Sequence, residues 1–485
     1  MVVPEALDRW RAGIPPLDAG NNAWMLVSAA LVLLMTPGLA FFYGGMVRRK
    51  SVINMLMMSF SAMGTVGVVY VLWGYSMSFA GNALGGLVGN PVTAFGLARL
   101  GPTAADPNGL ANSADAGSGV SGLAFAAFQL TFAIITVALI SGAVADRMKF
   151  TTWLVFSVVW VSVVYFPLAH MVWGGGLLSG ASDSLSALIF GRGPGGSAAI
   201  APMDFAGGTV VHIDAGVAGI VLAFLLGRRK GHGRDPMRPH NVPFVMLGAG
   251  LLWFGWFGFN AGSAGGAGGL AALAWINTST ATSAAMLGWL AVERVLHGKA
   301  TGIGAASGAV AGLVAITPGA GFVSPIGSVA IGALAGGICA WAIGLKSRLG
   351  LDDALDVGGV HLVGGIVGTV ALGFFSTSTG LFYGGNADQL MAQAIIAGAA
   401  ILFSGGLTLV IGLILRSTLG LRMSEDEEYD GDTAIHGESA YDFEGGTGIG
   451  SPGVLRGATH HQEASGHVAS ARAPEPASEP EEASA

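Results

Sequence analysis

The chain has 485 residues and a net charge of −7; 52% of its residues are hydrophobic and only 11% are charged. A soluble protein of this size carries roughly 25% charged residues to cover its surface. With a mean hydropathy of +0.64, the composition excludes a soluble globular fold.

Residues 1–22 have no basic start followed by an apolar run, so no secretory signal peptide is expected there. They read as a short extracytoplasmic N-terminus. Apolar runs then predict helices over 23–45, 51–79, 121–144, 151–172, 205–227, 243–263, 269–296, 303–322, 325–347, 355–377 and 391–415. Runs of about 20 apolar residues match the ~30 Å hydrocarbon core of a bilayer. Pro318 and Pro325 break the run between the eighth and ninth. The expected fold is an all-α integral membrane protein with eleven transmembrane helices.

Lys and Arg favour cytoplasmic loops, and their placement predicts an N-out, C-in orientation. With the N-terminus outside, the inner segments hold sixteen basic residues, among them Arg48, Arg49, Lys50, Arg147, Lys149 and the group from Arg228 to Arg238. The outer segments hold four, Arg9, Arg11, Arg99 and Arg192. Merging or splitting one helix scrambles this bias.

The 80 glycines fit the same reading. Helices in lipid gain no hydrophobic drive from meeting each other, and small residues let their backbones approach. The runs Gly304-Ala305-Ala306-Ser307-Gly308 and Gly332-Ala333-Leu334-Ala335-Gly336 have this character. The single cysteine, Cys339, lies in an apolar segment, so no intrachain disulfide forms. Two long outer loops, 80–120 and 173–204, are rich in Gly, Ala, Asn and Ser and are expected to fold over the outer face. A membrane domain over 23–415 is followed by a cytoplasmic tail, 416–444. The Ser, Glu, Pro, Ala and His of 445–485 cannot bury a core, and that extension is expected to be disordered.

Two stretches resemble each other. Asp204-Phe-Ala-Gly-Gly-Thr-Val-Val-His212 is followed by Gly216 and Gly219; Asp353-Ala-Leu-Asp-Val-Gly-Gly-Val-His361 is followed by Gly365 and Gly368. The first opens the fifth predicted helix and the second the tenth. A unit of five helices has an odd number of crossings, so its second copy is inverted: a 5+5 repeat plus a final helix. Sites in inverted-repeat transporters lie near the midplane at the repeat interface. Eight residues of helix span about 12 Å, so each His is carried from an opposite surface towards the centre.

Ionisable groups inside a membrane helix cost roughly 2.5–3.5 kcal/mol on insertion scales and read as functional by default. His212 and His361 are the main candidates. A facing pair shares a proton and titrates as a unit, which suits relaying a proton or hydrogen-bonding a small molecule. Two histidines without a third ligand make a poor metal site, so neither bound zinc nor any cofactor is expected. Asp204 and Asp353 are each placed to cap the helix carrying their His. Phe128, Phe132, Trp173, Trp256 and Phe259 lie near helix ends or in pore-forming segments, where aromatic faces attract cations; periodicity alone does not separate that role from packing. With no nucleophile–base pair or metal cluster, an enzyme is not expected.

These residues carry a resemblance. Pro37-Gly-Leu-Ala-Phe-Phe-Tyr-Gly-Gly45, Ala169-His-Met-Val-Trp-Gly-Gly-Gly176, Asp204 to His212, Gly255-Trp-Phe-Gly-Phe-Asn-Ala-Gly-Ser263, Val357-Gly-Gly-Val-His361 and His436-Gly-Glu-Ser-Ala-Tyr441 follow in the order found in the ammonium transporter family (Amt/MEP, with the Rh proteins as distant relatives). The chain resembles that family from about residue 21 to 443. The resemblance implies plasma-membrane homotrimers with one pore per subunit. It implies an outer ammonium-recruitment site at Trp173, Ser263, Phe128 and Phe132, an aromatic gate at Phe132 and Phe259, and a twin-histidine pair at His212 and His361. Asp204 corresponds to an aspartate supporting the recruitment site structurally and electrostatically. The tail motif resembles a segment that packs on the neighbouring subunit and takes part in regulation by PII-type signal proteins. The long outer loops and the extended tail depart from the bacterial pattern, and none of the departures touches a pore motif.

The expected function is therefore ammonium transport: NH4+ is recruited outside, deprotonated, and passed as NH3 through an apolar lumen within the lipid. The alternatives are a passive NH3 or CO2 channel and an ammonium sensor signalling through its tail.

Overall fold

Apolar runs in a lipid-spanning chain become helices because the backbone N–H and C=O groups have no partner there except one another. The computed structural model describes residues 16–441, and among these the fold is all-helical, with strand-like pairing limited to isolated bridges such as Met148 with Arg422. Residues 1–15, 442–444 and the extension 445–485, expected to be disordered, lie outside the described residues.

Ten helices are long and apolar enough to cross a membrane, which makes this a multi-pass membrane protein. They are α1 (Ala19–Met46), α2 (Arg49–Phe79), α3 (Gly122–Val144), α4 (Phe150–Val172), α5 (Gly208–Leu226), α6 (Val242–Gly262), α8 (Gly302–Gly319), α9 (Pro325–Arg348), α10 (Gly358–Phe375) and α11 (Asp388–Thr418). The seventh predicted helix is also present, as α7 (Gly269–His297), and is 29 residues long. It falls outside the ten because Asn277-Thr278-Ser279-Thr280 and Thr282-Ser283 interrupt its apolar face. Their donors bond internally: Asn277 donates to the carbonyls of Ala320 and Val323, both at 2.8 Å, and Thr278 to that of Ala274 at 2.6 Å.

The small-residue runs bring backbones into contact. A Cβ on Gly332 or Gly336 of α9 would come within 2.2 or 2.1 Å of the carbonyl oxygen of Ala281 or Ala285 in α7. The α5–α10 crossing is reciprocal. Gly216, four residues past His212, lies against the backbone of Leu362, where a Cβ would meet its nitrogen at 2.4 Å; Gly365, four residues past His361, lies against Gly208 and Ile213 in the same manner. Gly219 then meets Ala143 at the end of α3, and Gly368 meets Ala315 near the end of α8.

At the end of the bundle carrying the basic loops, Arg229 forks onto Asp352, with Nε to Oδ2 at 2.9 Å and Nη2 to Oδ1 at 2.8 Å. Arg147, fully buried, donates to the Asp352 carbonyl. Burial alone would raise the Asp352 carboxyl, but its hydrogen bonds and charge contacts with Arg229 and Arg147 outweigh that and hold it well below the usual carboxylate range. The tail packs on this same end. Met423 N–H donates to the Arg147 carbonyl at 2.9 Å, and Asp432 accepts from the backbone N–H groups of Ile53 and Asn54, both at 2.8 Å.

Replacing Gly216 with alanine should destabilise the protein by about 1–3 kcal/mol, since a rigid backbone leaves the new methyl no room. Gly67→Ala, whose Cβ meets nothing within 4 Å, should leave the thermal midpoint in detergent unchanged or slightly raised. Equal midpoints for the two variants would contradict the close-crossing account.

Candidate functional site

The site grows from the starts of α5 and α10. The first N–H groups of a helix lack intrahelical partners, and in both helices an aspartate supplies the acceptors. Asp204 Oδ1 accepts from Gly207 and Gly208 at 2.9 and 2.6 Å, and Oδ2 from Thr209 and Val210 at 2.9 and 3.2 Å. Gly207, with φ of +109°, makes the turn that folds the chain back over this carboxylate. Asp353 accepts from Val357 and Gly358 at 3.1 and 2.7 Å. Burial raises the Asp204 carboxyl, and its four backbone bonds pull it partly back. Burial and the nearby charge of Asp356 push Asp353 up to about 6.

Each capped start runs into a π-helical turn, Gly208–Ile213 and Gly358–Leu362. Such turns are rare and concentrate at functional sites. Each turn carries its histidine, and the two imidazoles meet with Nδ1 to Nδ1 at 3.3 Å and ring centroids 5.4 Å apart. That contact holds one N–H, donated by one ring and accepted by the other. His212 Nε2 is buried without a hydrogen-bond partner. His212 also stacks on Trp256 at 5.3 Å and 20°, while the Trp256 indole donates to Thr317 Oγ1 at 2.9 Å. Both histidines line a cavity of about 10 Å³ walled by apolar side chains such as Leu39, Ile135, Leu252 and Val310.

Phe259, in the wall of that narrow cavity, stacks on Phe132 with centroids 4.1 Å apart and an angle of 15°. Phe132 in turn lines a second cavity of about 270 Å³ with Phe128, Trp173 and Ser263. The stacked pair thus stands between a wide cavity and a narrow one. Phe128 lies 4.8 Å from Phe132, and Trp173 meets Phe132 edge-on at 6.0 Å and 83°. The Trp173 indole donates to the Asp204 carbonyl at 2.9 Å, and Ser263 Oγ donates to the Phe259 carbonyl at 2.8 Å. Asp204 therefore holds both the start of α5 and the ring of Trp173. All seven predicted aromatic, serine and histidine positions fall in two adjoining cavities, with Asp204 directly behind them.

Three residues escaped the sequence reading or were left there without a role. Trp256 forms a wall of the histidine cavity, which periodicity does not reveal. Asp214, two residues past His212, is fully buried in α5 and neither carboxylate oxygen has a hydrogen-bond partner; a charged residue inside an apolar run was the available signal. Asp115, from the long loop before α3, lines the wide cavity, and no local pattern marks it.

The model of the Ammonium Transporter Family matches residues 23–441. The ammonium transporter of Mycobacterium tuberculosis (strain ATCC 25618 / H37Rv) is 53% identical over 450 residues, spanning 89% of this chain and 91% of that protein. The ammonium transporter of Aquifex aeolicus is 49% identical over 438 residues, spanning 88% and 94%. The fold is similar to the crystal structure of Saccharomyces cerevisiae Mep2, with a TM-score of 0.73 and 31% identity over 84% of this chain and 88% of that one. A protein described as a sensor Amt protein matches with a TM-score of 0.75 and 28% identity over 86% and 98%.

Asp204→Ala leaves four N–H groups without their acceptor and should cost on the order of 2 kcal/mol. Its thermal midpoint should fall clearly, and Asp204→Asn, which keeps one acceptor oxygen, should fall less. A midpoint unchanged in Asp204→Ala would refute the capping role.

Proposed function

The chain belongs to the ammonium transporter family, and we propose that it carries ammonium across the plasma membrane by capturing NH4+ and passing NH3. The observation that carries this reading is the succession of the wide aromatic cavity, the Phe132–Phe259 stack and the His212–His361 contact.

Ammonium enters the wide cavity, where Trp173, Phe128 and Phe132 offer aromatic faces and Ser263 a hydroxyl with free lone pairs. Cation–π contact contributes about 0.5–2 kcal/mol depending on desolvation, and the hydroxyl accepts an N–H that a ring cannot. Phe132 and Phe259 form a gate that must part for a molecule to pass. Beyond it the lumen is apolar, so a charged ion has lost its hydration without compensation. Ammonium alone among the common monovalent cations escapes this penalty by shedding a proton. Potassium and sodium have no proton to shed and are excluded.

The proton follows the histidines. A proton arriving at Nε2 of one ring drives the shared Nδ1 proton to the other ring, whose Nε2 proton then leaves. Atoms and charge balance, and both rings end in the opposite tautomer. Asp204 keeps α5 and Trp173 in register and favours cations electrostatically without touching them.

The architecture we assign with this mechanism has eleven membrane helices, with α7 as the polar member, N-out and C-in. It consists of inverted five-helix repeats, α1–α5 and α6–α10, plus α11. The reciprocal glycine contacts of α5 with α10, and of each with α3 or α8, support that symmetry. The membrane domain spans 23–415 and the regulatory tail 416–444, in a homotrimer open to a PII-type partner at its cytoplasmic face.

A sensor is the second reading, favoured by the likeness to a sensor Amt protein and by a tail bonded to Arg147, which also holds Asp352 beside the α10 cap. A transport-deficient strain separates the two, since an obligate sensor restores no growth on low ammonium.

Purified protein in liposomes should pass an ammonium-driven current that methylammonium competes with. His212→Ala and His361→Ala, singly or together, should abolish most of that current. Strictly electroneutral flux, unaltered in His212→Ala, would sink the relay.

A further inference from the structure

The wide cavity has one charged side chain among its described lining residues, Asp115, and it comes from the long loop between α2 and α3. The residue is half-buried. Its carboxylate lies over the turn that follows Ser263: a Cβ on Gly265 would come within 2.6 Å of Asp115 Oδ2. The Ser263 hydroxyl and the Asp115 carboxylate therefore share one wall of the cavity.

That placement is built rather than incidental. Asn21 of α1 donates to the Ser118 carbonyl at 2.8 Å and accepts from Ala267 N–H at 3.0 Å, tying the loop of Asp115 to the turn of Gly265. Asn22 donates to the Gly119 carbonyl at 2.7 Å and accepts from Ser121 N–H at 3.0 Å. Two neighbouring asparagines at the start of α1 thus fix the loop at both flanks of the segment just after Asp115.

The carboxylate is also uncompensated. None of the ion pairs among the described residues includes it. Burial raises its carboxyl from the ordinary value, with Ser118 acting against that; a cation in the cavity would relieve the same strain. Aromatic faces attract a cation only within about 6 Å of the ring. A carboxylate acts over a Debye length, about 8 Å at physiological ionic strength, and concentrates cations at a cleft mouth.

We propose that Asp115 is a specificity-determining residue of the outer site, whose carboxylate draws small ammonium cations into the aromatic cavity and sets their apparent affinity. This rests on reading that cavity as the ammonium entry. Asp115 acts on capture and not on passage, so it changes KM and leaves the maximal rate alone.

The test uses the full-length protein in liposomes, with methylammonium and ammonium uptake measured at low and high ionic strength. Asp115→Asn should raise the apparent KM roughly 3–10-fold at low ionic strength, with the gap closing as salt screens the charge. Asp115→Glu should restore much of the affinity, and Asn21→Ala, which frees the loop, should reproduce a weaker form of the same salt-dependent loss. An unchanged KM in Asp115→Asn at low salt overturns the proposal, as does a KM gap that salt does not alter, the mark of a structural defect. Trp173→Leu and Ser263→Ala run alongside. If both raise KM while Asp115→Asn does not, only the assignment of Asp115 fails; if neither changes KM, the entry reading fails and the proposal with it.

Discussion

The rest of the structure depends on two helices that start with their backbone N–H groups turned inward and must find acceptors without bulk water. Asp204 and Asp353 solve the same problem in the same way, one carboxylate folded back over the first turn. Each capped start tolerates a π-helical turn, which carries a histidine to the crossing point of α5 and α10. Remove either cap and the N–H groups, the turn and the imidazole all lose their place. The glycines four residues later complete the arrangement, since any side chain there would hold the two helices apart.

Around that crossing the polar groups are few, and the two indoles each have a partner of a particular kind. The Trp256 indole donates to Thr317, leaving its face for His212; the Trp173 indole donates to the Asp204 carbonyl, leaving its face for the wide cavity. In both cases the hydrogen bond fixes the ring and leaves its π-surface for another role, stacking on His212 for Trp256 and lining the wide cavity for Trp173. The proposed division of labour follows from this: a wide, aromatic and weakly charged mouth selects a cation, and a narrow apolar lumen rejects it unless it gives up a proton. Asp115 adds to the mouth the long-range attraction that rings cannot supply.

The opposite end of the bundle has the reverse character, with buried Arg147 and Arg229 bound to Asp352 one residue before the Asp353 cap. The tail shares Arg147 with this network. The tail is thereby bonded to residues adjoining the start of α10, and the proposed regulatory or sensing role rests on that contact.

Much of this was legible in order along the chain. Runs of apolar residues have one stable environment, so the sequence by itself determined the membrane-spanning helices. The Asp-to-His spacing and the glycines after each His marked α5 and α10 as a related pair, because helix geometry makes spacing a statement about position. The helix of Gly269–His297 was legible too, but partners of its Asn and Thr side chains, the carbonyls of Ala320 and Val323 and the side chains of Asn260 and Ser328, lie on other parts of the chain. Other features were decided by tertiary structure alone. The 3.3 Å approach of the imidazoles, the stacking of Phe132 on Phe259, and the placing of Asp115 beside Ser263 join residues some 120 to 150 positions apart. Periodicity reports which face of a helix is apolar and says nothing of which other helix or loop that face will meet.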